Sequence, residues 1–308
     1  MLPASTPKIS QFRGLNNVTD PRRAGASWLT RADNVDVTDS GGLKKRAGYI
    51  KTLSGAMTAA YSTLDMQRCY MVDGDALKAL TSPATTVTLR TGLAPRPMHF
   101  TEVDGRVYFN NGVDDGIILP DNSIQPWRDA QLDDIPRLDA DGKPMDTLLS
   151  PLPQGVDRIQ HWRGRIYAAQ WLPGMDSSAL WFSQPIGYHL FNMDEDVLML
   201  SGQIRMLAPH DAGLVIGTDR AIHVYTGESL AQVADYGVVP GEHWALDNRR
   251  LLFWTQRGLC AGLPFENLTD AQVSVAPGAS AAGALVQDRG ATRYVVSLQQ
   301  GGTAFNNY

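Results

Sequence analysis

Asp104-Gly105-Arg106-Val107-Tyr108-Phe109 reads as a tight polar turn that launches an apolar strand, and the chain repeats it as Arg163-Gly164-Arg165-Ile166-Tyr167-Ala168. A looser copy is Asn248-Arg249-Arg250-Leu251-Leu252-Phe253-Trp254. The intervals are unequal. The second is long enough to hold two units of about 40 residues, with Gly213-Leu214-Val215-Ile216-Gly217 opening the intervening one. Around these phrases lie further short runs rich in β-branched and aromatic residues: RCYMVDG, ALWFSQP, AIHVYTG and RYVVSLQ, each close to Gly, Asp, Asn or Pro. Long amphipathic helical patterns are absent, and 29 Gly and 18 Pro punctuate the chain for turns. Short strands, frequent turns and a four-strand repeat predict an all-β, β-propeller-like fold of about five to six short four-stranded blades. A pair of β-sandwiches is the alternative. Tyr108, Tyr167, Trp181, Val215, Tyr225, Phe253 and Tyr294 are the expected core.

The first 55 residues differ. They are rich in Gly, Asn, Asp and Arg, with scattered apolar anchors at Phe12, Leu15, Trp28 and Leu29. They read as an extended N-terminal arm (1–55) ahead of the propeller (56–308), with one short helix over 28–34. The Gly41-Gly42 turn is expected to present Lys44, Lys45 and Arg46 together. Phe12, Leu15, Trp28, Lys44, Lys45 and Arg46 are therefore the candidate inter-subunit contacts. A long, Pro-rich, acidic segment at 129–155 reads as an excursion from the propeller.

Composition narrows the function classes. With 308 residues, 43% hydrophobic and 19% charged, the chain can bury a sizeable core. A net charge of −5 provides no global basic field for nucleic acid. Cys69 and Cys260 lie far apart in apolar runs and read as buried free thiols. The opening MLPASTPKIS lacks a signal-peptide pattern, and no apolar run approaches the length of about 20 residues that a membrane-spanning helix needs.

No nucleophile elbow, phosphate-binding loop, HExxH or CxxC motif occurs, and the six His are dispersed. No catalytic, metal or cofactor-binding residue is expected. The nearest approach to a metal loop is Asp139, Asp141 and Asp146 in LDADGKPMD, which lacks the closing Glu of an EF-hand. The neighbouring carboxylates Asp114-Asp115 and Asp133-Asp134 leave open a second reading, a carbohydrate-active or glycan-binding propeller.

One ordered set of phrases carries a resemblance. Phe12, Gly14, Leu15, Asn16 and Asn17 come first, followed by Ala32, Asn34, Val35 and Asp36. Gly41, Gly42, Leu43, Lys44, Arg46, Gly48 and Tyr49 complete the opening, and ALWFSQPIGYHLFNM and DYGVVPGE follow later. Together they resemble tailed-bacteriophage virion proteins of the packaged-DNA stabilisation and tail-nozzle type. The resemblance implies a non-enzymatic tail nozzle, hub or head-to-tail ring that takes part in DNA retention or delivery. Its implied partners are a homo-oligomeric ring, other tail proteins and packaged double-stranded DNA passing nearby, bound without sequence specificity. Its implied location is the virion tail, after assembly in the host bacterial cytoplasm.

Overall fold

The computed structural model describes residues 9, 11–38, 40–48, 50–128, 141, 149–288, 291–301 and 304–307. The chain divides into two compact units, residues 51–238 and residues 1–50 with 239–308. The boundary falls close to the change in composition, and the first 50 residues group with the last 70 instead of standing apart. Most of the 129–155 excursion, with Asp133, Asp134, Asp139 and Asp146, lies outside the described residues.

The fold is all-β and β-propeller-like, made of four-stranded antiparallel sheets with strands in sequence order. In unit 51–238 the first sheet comprises Met57–Ser62, Cys69–Asp73, Ala76–Ser82 and Thr85–Arg90. The second comprises His99–Val103, Arg106–Asn110, Asp115–Ile118 and Ile124–Gln125. The third comprises Val156–Trp162, Arg165–Leu172, Ser177–Phe182 and Val197–Ser201. The fourth comprises Ile204–His210, Gly213–Thr218, Ile222–Tyr225 and Leu230–Ala234. Within this unit the first strands of the second, third and fourth sheets lie side by side.

The other unit holds a fifth four-stranded sheet, Ala245–Asp247, Arg250–Thr255, Gly258–Gly262 and Glu266–Asn267. A sixth sheet has three strands, Ser280–Asp288, Ala291–Gly301 and Ala304–Asn307.

The sequence repeat is a turn repeat. Asp104-Gly105, Arg163-Gly164 and Asn248-Arg249 each join the first strand of a sheet to the second, and both residues of each pair have positive φ: 50° and 73°, 47° and 72°, 45° and 71°. That is the type I′ hairpin, whose twist matches that of the flanking strands. Arg249 occupies the position that Gly fills in the other two copies, and a side chain there works against the left-handed backbone. Arg249→Gly is therefore expected to stabilise the protein by about 1 kcal/mol, read as a rise in the chemical-denaturation midpoint. An unchanged or lower midpoint would contradict it.

The strands after these turns are buried on both faces, which explains their continuous apolar runs. Side chains alternate along a strand. Val107 and Phe109 thus join the cluster shared with the first sheet, including Tyr70, Leu77 and Phe100, while Tyr108 joins Trp127, Val156 and Ile166 on the other side. Ile166 and Ala168 face that same second cluster, and Tyr167 and Ala169 turn to Leu180, Leu207, Leu214 and Tyr225. The second and third sheets are thus slabs between two apolar layers, and each fully buried large side chain contributes roughly 1.5–3 kcal/mol. Buried Trp rings also find carbonyl partners: Trp127 Nε1 donates to Tyr188 O at 3.1 Å and Trp162 Nε1 to His210 O at 2.9 Å. Of the expected core, Tyr108, Tyr167, Val215, Tyr225 and Phe253 are buried, whereas Trp181 and Tyr294 are half-buried. Neither Cys69 nor Cys260 is in a disulfide; Cys260 is buried and Cys69 half-buried.

The arm departs from expectation at its helix. Trp28–Leu29 is a strand paired in parallel with Gly14–Leu15, and the single helical turn lies at Pro21–Ala24. Asp20 caps that turn, its side chain accepting from Arg22 N at 2.9 Å, and Pro21 sits at the first helical position, where its missing N–H costs nothing.

Candidate functional site

The arm residues form a small folded piece. Phe12 N donates to Gly41 O at 2.7 Å, Arg13 N to Ser27 O at 2.9 Å and Asn16 N to Leu29 O at 2.7 Å. These bonds, with the parallel pairing, bring Leu15 and Trp28 into neighbouring strands and leave Phe12, Leu15 and Trp28 half-buried. Asn17 is the tie to the C-terminal part of the same unit. Its N–H donates to Gln272 O at 3.0 Å, its Nδ2 to Ser274 O at 2.9 Å, and its Oδ1 accepts from Ser274 N at 2.7 Å.

The basic residues do not form the single cluster expected. Leu43–Lys45 is a strand, paired with Val35–Val37, so the adjacent Lys44 and Lys45 point to opposite faces. Both are exposed. Arg46 instead pairs with Asp36 at 3.3 Å, and Asp36 also lies 3.7 Å from Arg293.

Asp114 and Asp115 border a cavity of about 470 Å³, lined also by Arg90, Ile124, Gln125 and Arg128. Each carboxylate is already committed. Asp114 pairs with Arg90 at 3.0 Å and accepts from Ala94 N at 2.7 Å and Asn111 Nδ2 at 3.2 Å. Asp115 pairs with Arg128 at 2.6 Å, and Arg128 in turn donates to Leu152 O at 2.6 Å. The two carboxylates are thus each paired with a separate guanidinium. Among the described residues no group of three His, Cys, Asp or Glu side chains could hold a metal ion.

A second polar group escaped the sequence reading. In three of the four first strands of unit 51–238 the register breaks at the second residue, which bulges out: Thr58, Asp157 and Arg205. Bulges re-aim side chains and recur beside functional sites. Burial pushes the Asp157 carboxyl up, against the opposing pull of His99, Arg158 and Arg96. Gly112, at φ 88°, approaches the same group. A Cβ there would lie 3.4 Å from Arg96 Nη1 and 3.5 Å from Asp157 Cβ. Buried Asn110 pairs across the sheet with His99. The trace in the sequence is a polar residue second in the first strand of a sheet: Thr58, Asp157 and Arg205.

Three imidazoles in this unit, His161, His189 and His223, are pushed below 6.5 by burial. The fold disfavours their charged forms, so the unfolded chain takes up protons first as pH falls. Their contribution to stability is present above 6.5 and is lost as pH drops through the folded values. The melting temperature should therefore fall between about pH 7 and pH 5, and the slope should shrink when all three are replaced by Gln. An equal slope in the variant would contradict this.

No family model matches the chain, and no curated protein does. Among solved structures it is similar to the extracellular domain of the hybrid two-component system BT4673 from B. thetaiotaomicron, at 12% identity and TM-score 0.45, covering 75% of this chain and 27% of that one. It is also similar to a catalytically inactive virginiamycin B lyase from Staphylococcus aureus, at 10% identity and TM-score 0.43, covering 82% and 83%. A third is PorZ of the Porphyromonas gingivalis type-IX secretion system, at 14% identity and TM-score 0.42, covering 89% and 36%. The chain thus spans about a quarter to a third of the first and third of these structures. None of the three is described as a phage tail protein. No helix among the described residues is long and apolar enough to cross a membrane.

Proposed function

We propose that the chain is a non-enzymatic structural component of a bacteriophage tail, a nozzle, hub or head-to-tail ring that assembles into the virion and takes part in DNA retention or delivery. The observation that carries this reading is what the phrases of the resemblance do in the fold. Asn16 and Asn17, Asn34 and Asp36, and Gly41 are the residues that build and anchor the arm. Asn16 Oδ1 accepts from Thr19 N at 3.0 Å and Asn17 ties the arm to 272–274. Asn34 and Gly41 hold φ of 58° and 76°, and Asp36 joins Arg46 to Arg293. Residues that build and anchor such an arm suit a part built for assembly. In lysates of the infected or induced host, the protein should co-purify with tailed particles through a density gradient. Recovery solely from the free-protein fraction would overturn the reading. The carbohydrate-active alternative gains nothing from Asp114 and Asp115, which are spent on arginines.

A further inference from the structure

We infer that the arm is exchangeable between copies: residues 11–48 of one chain dock on residues 272–274 and Arg293 of a second copy when the protein assembles. The inference rests on the assembly reading and names the contact it would use. Three independent features of the structure lead to it.

The first is connectivity. The unit that contains the arm is built from two pieces of chain, 1–50 and 239–308, with the whole of residues 51–238 between them. An element completed by a sequence-distant partner can be completed equally well by the same residues of another copy, because the contacts are identical.

The second is the joint. Ile50 is 90% exposed, residues 51–56 form no strand, and all of them except Leu53 are exposed. The chain can swing there without uncovering core.

The third is the character of the contact. Among the described residues the arm is tied to the C-terminal part of its unit by the three hydrogen bonds of Asn17, between exposed residues, and by the 3.7 Å Asp36–Arg293 pair. Of its described residues only Asn16 and Gly41 are buried. Phe12, Leu15, Trp28, Val35 and Val37 stay half-covered, and Val18 and Leu43 are 48% and 45% exposed. Opening a polar contact between exposed residues uncovers little apolar area, and re-forming it on a second copy restores the same contacts.

Cross-linking between marked chains tests it. In a Cys69→Ser background, a tagged chain carrying Val18→Cys, which leaves the bonds of Asn17 in place, is co-expressed with an untagged chain carrying Ser274→Cys, and the assembled protein is treated with a short thiol–thiol cross-linker. Exchange predicts a product containing one chain of each kind. The double variant on a single chain, Val18→Cys with Ser274→Cys, should then give inter-chain ladders. A double variant that closes only on itself as a monomer, with no mixed product from the single variants, overturns the inference. If the protein nevertheless co-purifies with particles, the tail-component reading survives and the exchange alone fails.

Discussion

Phe109→Ala should lower the stability of the protein by about 3–5 kcal/mol, the range for emptying a well-packed aromatic site. Phe109 is fully buried on the second strand of the second sheet and belongs to the layer between the first and second sheets. Its ring lies so close to Gly116 that a Cβ there would be 2.6 Å from Cζ and 2.8 Å from Cε1. The Arg90 guanidinium stands 6.0 Å from the ring centroid on another side. With β-strand backbone behind the ring, the site cannot collapse, so the cavity term adds to the transfer term. The same contact makes Gly116→Ala destabilising, and coupling should appear: Phe109→Leu is expected to cost less in the Gly116→Ala background than in the wild type. Chemical denaturation of the single and double variants measures both effects. A loss below about 1 kcal/mol for Phe109→Ala would mean that the layer is not packed as described.

The residues that made the fold readable are those whose role is local. A type I′ turn needs two positive-φ residues, and Asp-Gly announces it; the strand that follows announces itself by burying both faces. Residues 104–109 and 163–168 state both facts within six positions. Trp181 and Tyr294 look like core in the sequence because they are aromatic, but each keeps a polar tip engaged and is only half-buried. Trp181 Nε1 donates to Gln170 Oε1 at 3.3 Å, and Tyr294 OH donates to His243 O.

What stayed hidden depends on distant partners. Trp28–Leu29 becomes a strand only because Gly14–Leu15 lies beside it in parallel. The helical turn was in fact signalled locally by Asp20-Pro21, a cap followed by Pro at the first helical position. Lys44, Lys45 and Arg46 look like a cluster in one dimension and are dispersed by strand alternation. The bulges at Asp157 and Arg205 shift the register by one residue, which cannot be read without the neighbouring strand.

Gly241→Ala should be the most damaging small substitution in the unit formed by residues 1–50 and 239–308. Gly241 has φ 120°, where an L side chain is strained. A Cβ there would drive into the carbonyl oxygen of Ala281 and lie 3.0 Å from its carbonyl carbon. The obstacle is backbone, so no rotamer relieves it. The approach is close because Ala281 N donates to Pro240 O at 2.8 Å and Gly283 N to Glu242 O at 2.9 Å, which clamp 240–242 along the strand Ser280–Asp288. That strand carries Ala281 into the layer with Val239, Trp254, Val296 and Leu298. Ala at 241 must shift φ, part the two segments, or both. Strain of about 1–3 kcal/mol joins two hydrogen bonds worth about 0.5–1.5 kcal/mol each, so a loss of about 3 kcal/mol or more is expected. Gly105→Ala is the control: its φ is 73° with nothing within 4 Å of a Cβ, so it should cost only about 1 kcal/mol, the dihedral part alone. Hydrogen exchange locates the effect. Amides of 281 and 283 should lose protection in Gly241→Ala and keep it in Gly105→Ala. Equal stability losses in the two variants would show that the close approach to Ala281 contributes nothing.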